Sequence, residues 1–134
     1  MSPHRPVPVV LLLEDDPALS RMLEVLLRRV GGWIVFRVES LSEALITAKR
    51  ETPDFYLVDL YVSDGFGTGV LDAMEAGGLE TKPVILLSAA TDDPALLASQ
   101  RAHRAQGVLS KPFDPETLVS QLLGILNECG NGAL

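Results

Sequence analysis

Five short apolar runs, each followed by a polar break and a helix-like pattern, constrain this chain more than any other feature of its 134 residues. The runs are Val9–Leu13, Ile34–Val38, Phe55–Asp59, Val84–Leu87 and Val108–Leu109. Four are continuous rather than alternating. Strands covered on both faces read this way, and such strands belong to parallel sheets. Ile34–Val38 carries Arg37, which predicts a more exposed edge strand. Between the runs, Leu19, Met22, Leu23, Leu26, Leu27 and Val30 fall on one helical stripe, as do Leu41, Ala44, Leu45 and Ala48. Val70, Leu71 and Met74 mark a shorter helix, and Leu118, Val119, Leu122, Leu123 and Leu126 mark the last. Ala95–His103 has the weakest amphipathic pattern of the five.

Local signals agree with these boundaries. Asp16-Pro17, Asp93-Pro94 and Asp114-Pro115 each place an N-cap acceptor before a proline suited to the first helical position. Ser40 and Glu43 have capping-box spacing. Gly31-Gly32 and Gly77-Gly78 stand where helices should end. Trp33 is expected to pack at the start of a strand. Five strand–helix units with right-handed crossovers give an α/β fold. The expected form is a flavodoxin-like, doubly wound five-stranded parallel sheet of order 2-1-3-4-5 with five helices, a three-layer αβα sandwich. One domain over 9–128 is expected, with loose termini at 1–8 and 129–134.

Composition narrows the function. Hydrophobic residues at 47% and charged residues at 22% suit a globular domain. A net charge of −7 argues against direct nucleic-acid binding, since a phosphate backbone would repel the chain. Cys129 is the one cysteine, so neither an internal disulfide nor a thiolate cage is available. Val7–Leu13 is broken by Pro8 and is too short to serve as a leader or a membrane span, so a cytoplasmic protein with no membrane contact is expected. His4 and His103 stand alone and are given no chemistry.

Ligands of open parallel sheets bind at the carboxyl ends of the strands. The first strand is followed by Glu14, Asp15 and Asp16; the third ends at Asp59; Ser88 follows the fourth; Lys111-Pro112 follows the fifth. The second delivers only Glu39 and Ser40. In the expected strand order the acidic residues, the hydroxyl and the lysine converge. Carboxylates crowded into one pocket need a cation to ionise together, and an all-oxygen set favours Mg²⁺ or Mn²⁺. Carboxylate, cation, lysine and hydroxyl together fit phosphoryl transfer, with an aspartate as nucleophile. Asp16 is explained as a helix cap. Gly65, Gly67 and Gly69 follow the wrong strand for a dinucleotide fingerprint and are read as a flexible loop.

Four segments, L-L-L-E-D-D at 11–16, L-V-D-L-Y-V-S-D-G at 57–65, I-L-L-S-A at 85–89 and S-K-P-F at 110–113, resemble the motifs of response-regulator receiver domains. The resemblance covers 9–128. It implies that Asp59 is the phosphoacceptor and, with Asp15, a direct metal ligand. Glu14 would act on the metal through water, and the backbone carbonyl of Tyr61 would be a further ligand. Ser88 and Lys111 would bind the phosphoryl group, with a cis bond between Lys111 and Pro112. The implied role is a signalling phosphoacceptor, not an enzyme acting on other substrates. Its phosphodonor would be a sensor histidine kinase or a histidine phosphotransfer protein, docking on Pro17, Leu19, Ser20, Pro112 and Phe113. The signal would pass to a downstream protein or to an output domain absent from this chain, and a homodimer through the fourth-helix face is open.

Two positions depart from the family pattern. Val108 stands where an aromatic switch residue is usual, and Ser63 replaces a loop proline. Tyr61 and Ala90 occupy the two positions that tune phosphoryl lifetime, and predict slow self-dephosphorylation. Two rival readings remain: a degenerate receiver serving as a phosphorylation-independent scaffold, and a phosphatase of the haloacid dehalogenase type. The latter requires a second aspartate where Tyr61 stands.

Overall fold

The computed structural model describes residues 7–89 and 105–128. The expected helix at 95–103 and its Asp93-Pro94 cap lie outside these residues, as do Ala90, Cys129, His4, His103 and the fourth-helix dimer face.

Five parallel strands form the sheet: β1 (Val9–Leu13), β2 (Ile34–Val38), β3 (Phe55–Asp59), β6 (Val84–Ser88) and β7 (Gly107–Ser110). Their order is β2-β1-β3-β6-β7, the expected doubly wound arrangement. Between β3 and β6 a short antiparallel ribbon, β4 (Tyr61–Val62) with β5 (Gly65–Phe66), precedes α3 (Gly69–Glu75). The remaining described helices are α1 (Pro17–Arg29), α2 (Leu41–Glu51) and α4 (Leu118–Glu128).

The continuous apolar runs have a direct structural cause. Val10, Leu12, Phe55, Leu57, Ile85 and Leu87 point to one face, where α1 and α4 cover them. Their neighbours Leu11, Leu13, Tyr56, Val58, Val84 and Leu86 point to the other, under α2 and α3. Side chains alternate along a strand, so a sheet buried on both faces needs apolar residues at every position. On the first face the Trp33 ring meets Phe55 edge-on at 5.2 Å. Burying each large aliphatic side chain contributes roughly 1.5–3 kcal/mol. Strand β2 is one edge of the sheet, with Ile34 and Arg37 exposed. Arg28 Nη2 donates to the Val35 carbonyl at 3.1 Å, covering part of that edge.

Helix boundaries follow the caps, with corrections. Asp16 Oδ1 accepts from Ala18 and Leu19 amides at 3.0 and 3.3 Å, as an N-cap should. α1 stops at Arg29, so Val30 leaves the predicted stripe and is 62% exposed. The buried line is Ser20, Leu23 and Leu27. Pro8, expected to be loose, already accepts a backbone bond from Ile34 at 3.0 Å. Among the described residues no helix is long and apolar enough to cross a membrane.

Leu57 is fully buried in the core under α1 and α4. Leu57→Ala is expected to lower the free energy of unfolding by about 2–5 kcal/mol. Ile46→Ala, at a residue 65% exposed, should change it by less than about 0.5 kcal/mol. Urea titration of both variants checks the contrast.

Candidate functional site

Strand register brings the chemistry together. Leu13 pairs with Val58, Asp59 with Leu87, and Ser88 with Ser110, so the residues ending β1, β3, β6 and β7 stand at one level. The Lys111 amide donates to the Ser88 carbonyl at 2.7 Å, extending this level past the end of β7. The Lys111–Pro112 peptide bond is cis, as the resemblance implied.

Lys111 Nζ lies 3.1 Å from Asp59 Oδ2 and 2.8 Å from Glu14 Oε1. Glu14 and Asp59 are buried, and Asp15 is exposed. One carboxylate oxygen from each of the three lies within 4.8 Å of the others. Glu14 Oε2 accepts the Asp16 amide at 3.1 Å. Glu14 Oε1 is in ion-pair contact with Lys111 but has no aligned hydrogen bond, although it is buried. A buried carboxylate oxygen with an unused lone pair, beside two further carboxylates, fits a divalent cation. The set contains neither histidine nor cysteine, which points to a hard cation.

The electrostatics agree with that reading. Burial, and then the negative charge of Glu14, push the Asp59 carboxyl from 3.8 up to about 7, against the opposing pull of Lys111. Burial acts to lower the Lys111 ammonium, but its contacts with Glu14 and Asp59 outweigh this and raise it. The cluster is short of positive charge.

Ser88 is buried beside this level, and among the described residues its hydroxyl makes a long 3.4 Å bond to the Ala89 carbonyl. Tyr61 opens the ribbon two residues beyond Asp59, with its ring tilted against Phe66 at 5.5 Å. The segment read as a flexible glycine loop begins in this ribbon at Gly65, leaves it at Gly67 and enters α3 at Gly69. Gly67 donates to the Leu60 carbonyl at 3.0 Å, and a side chain there would collide with the Asp59 carbonyl. Glycine is needed because the ribbon folds directly onto the end of β3.

Leu19, Pro112 and Phe113 line a groove of about 490 Å³ with Asp16, Met22, Ala89 and Lys111. Pro17 is exposed. Ser20 corrects the docking set: it is 2% exposed, because it sits three and seven residues before Leu23 and Leu27 on the face of α1 that meets the sheet. Val108 is 43% exposed on β7. Sequence reasoning overlooked Asp64, whose carboxylate accepts the Leu41 and Ser42 amides at 2.7 and 3.1 Å.

The family model for the response regulator receiver domain matches residues 10–123. The chain belongs to the response-regulator receiver family. The receiver is 32% identical over 123 residues to the probable transcriptional regulatory protein TcrX of Mycobacterium tuberculosis, covering 90% of this chain and 50% of that protein. It is 34% identical over 113 residues to the KDP operon transcriptional regulatory protein KdpE of Escherichia coli, covering 84% of this chain and 48% of that one. This receiver therefore spans about half the length of these curated relatives. Among solved structures, the chemotaxis response regulator CheY4 of Vibrio cholerae superposes with a TM-score of 0.77 at 26% identity, over 90% of this chain and 99% of that one. A putative response regulator from Chloroflexus aurantiacus gives 0.77 at 29% identity, over 90% and 98%.

The raised Asp59 carboxyl makes stability depend on pH. Between pH 3.8 and about 7 the folded receiver keeps a proton that the unfolded chain has released. The contribution of Asp59 is therefore fully present below the lower value and is lost as pH rises through the upper one. In chelator, Asp59→Asn is expected to raise Tm by about 5 °C at pH 8 and by clearly less at pH 5. Equal shifts at both pH values in a thermal scan would contradict this.

Proposed function

We propose that this receiver takes a phosphoryl group from a phosphohistidine onto Asp59, with Mg²⁺ or Mn²⁺ bound, and signals by changing shape. The observation that supports the reading is the buried Glu14–Asp59–Lys111 cluster, in which two carboxylates share one ammonium beside Asp15. Asp15 and Asp59 would hold the cation directly, Glu14 through water, and Tyr61 through its backbone carbonyl. The cation would supply charge neutralisation, keeping Asp59 ionised near neutral pH and offsetting charge on the transferring group.

An Asp59 carboxylate oxygen attacks phosphorus while the P–N bond of the donor breaks. The imidazole leaves with the electron pair and takes up a proton. Lys111 turns its ammonium from the carboxylates to a phosphoryl oxygen. Ser88 gives up its long bond to the Ala89 carbonyl and donates to another. Catalysis of this kind is mainly positioning and charge neutralisation.

The donor is a sensor histidine kinase or histidine phosphotransfer protein, seated on the groove at Leu19, Pro112 and Phe113 with Pro17 at the exposed start of α1. The receiver unit spans 9–128. The relatives are about twice as long and are named transcriptional regulators, which supports an output region beyond this segment or a separate downstream protein. The net charge of −7 speaks against nucleic-acid binding by the receiver itself. The site of action is the cytoplasm. The exposed valine at 108, with no ring to swing inward, favours a second reading: a scaffold whose partner binds regardless of phosphorylation.

Incubation with acetyl phosphate and Mg²⁺, followed by intact mass measurement, separates the two. A single phosphoryl adduct is expected that requires the cation and is absent in Asp59→Asn. Lys111→Ala should slow its formation by roughly 10²-fold. The adduct should last minutes or longer at 25 °C, since Tyr61 flanks Asp59 on the ribbon; loss within seconds sinks the slow-dephosphorylation reading. Partner binding that is unchanged between the phosphorylated form and Asp59→Asn would select the scaffold.

A further inference from the structure

The tip of the β4–β5 ribbon is Ser63-Asp64, and Asp64 reaches outside its own hairpin. One carboxylate oxygen accepts the Leu41 amide at 2.7 Å and the other accepts the Ser42 amide at 3.1 Å. These are the first two amides of α2, which the helix cannot satisfy by itself. The local cap, Ser40, takes only the third: its Oγ accepts from Glu43 at 3.2 Å. The N-terminus of α2 is thus completed by a residue 23 positions away in sequence. The two backbone bonds also hold the Asp64 carboxyl below its ordinary value.

Packing reinforces the link. A Cβ at Gly69 would lie 2.6 Å from Leu41 Cδ2, and one at Gly65 would lie 3.3 Å from it. The ribbon therefore lies directly on the first residue of α2. Its base is fixed separately by the Gly67 amide on the Leu60 carbonyl. Tyr61 lies between these two anchors, paired with Phe66.

We propose that Asp64 is a positioning residue: by gripping the Leu41 and Ser42 amides it holds the ribbon that carries Tyr61, and so ties the N-terminus of α2 to the cation-binding loop. This rests on the assignment of the Tyr61 carbonyl as a cation ligand. Without the grip, the ribbon tip keeps only its packing on Leu41, and the Tyr61 carbonyl is held less firmly. Residues that orient metal ligands commonly change affinity by 10–100-fold when removed. Energetic coupling is reciprocal, so a cation bound at the loop must also strengthen the grip on α2.

The test uses Mn²⁺ alone on the full chain, with the free ion read by electron paramagnetic resonance. Asp64→Ala is expected to weaken Mn²⁺ binding about 10-fold or more. Ser40→Ala also strips one amide partner from α2 but leaves the ribbon tip alone, and should change affinity by less than about 2-fold. Asp64→Asn, which keeps the shape and one acceptor oxygen, should fall between. In the unaltered protein, Mg²⁺ should slow hydrogen exchange at the Leu41 and Ser42 amides. An unchanged Mn²⁺ affinity in Asp64→Ala, an equal loss in Ser40→Ala, or exchange at Leu41 and Ser42 indifferent to Mg²⁺ overturns the proposal. Failure of the unaltered, folded protein to bind Mn²⁺ is a separate outcome. It removes the cation site itself, and this inference with it.

Discussion

Two carboxylates share one ammonium at the end of the sheet, and neither of the two is open to solvent. Glu14 and Asp59 face Lys111 at 2.8 and 3.1 Å. At the separations within this cluster, like charges repel by roughly 3 kcal/mol at an effective dielectric near 20. One lysine cannot offset two buried carboxylates together with exposed Asp15. The consequence is visible in Asp59, held up to about 7 although an ammonium touches it. Such an arrangement is costly for folding, and a fold retains it only where the surrounding structure leaves the groups no other position.

That enforcement comes from the sheet. Leu13 and Val58, the residues just before Glu14 and Asp59, are fully buried and in register. Neither strand can slip by one residue without turning its whole apolar set to the wrong face. Ser88 and Lys111 are locked to the same level by the Ser110 pairing and the backbone bond between them. The two cores thus do more than stabilise the sheet. They fix where four polar side chains end up, and they do so from residues that take no part in the chemistry.

The order of strands, the edge position of β2 and the convergence of Glu14, Asp15, Asp59, Ser88 and Lys111 were all legible in the sequence. Each follows from a strong signal: unbroken apolar runs, an arginine inside one run, and polar residues at run ends. What was not legible depended on three-dimensional neighbours. Val30 continued a helical stripe, yet the helix had already ended at Arg29. Ser20 looked like a surface residue by type, but its angular position on α1 turned it inward. The glycine-rich segment after β3 carried no apolar alternation, because a two-residue ribbon strand is too short to show any. Asp64 left no local trace either. Its partners are 23 and 22 residues earlier, and a capping search looks only a few residues ahead.

The same geometry bears on how a charge change at Asp59 can be felt elsewhere. Val108 presents no ring at β7, so that position offers no aromatic to swing inward. Among the described residues, two other connections leave the site. One runs through the Ser88 carbonyl and the Lys111 backbone into the loop at Pro112 and Phe113, which lies on the α1 side of the sheet. The other runs from the end of β3 through Gly67 and the ribbon to the first amides of α2, on the opposite side. A phosphoryl group that draws Lys111 away from Asp59 alters the first directly. A cation held as proposed by the ribbon backbone would alter the second. On the proposed reading, the two faces of the sheet would thus be addressed by different parts of one event. The face bearing α2 would then carry a response by a route that needs no aromatic at position 108.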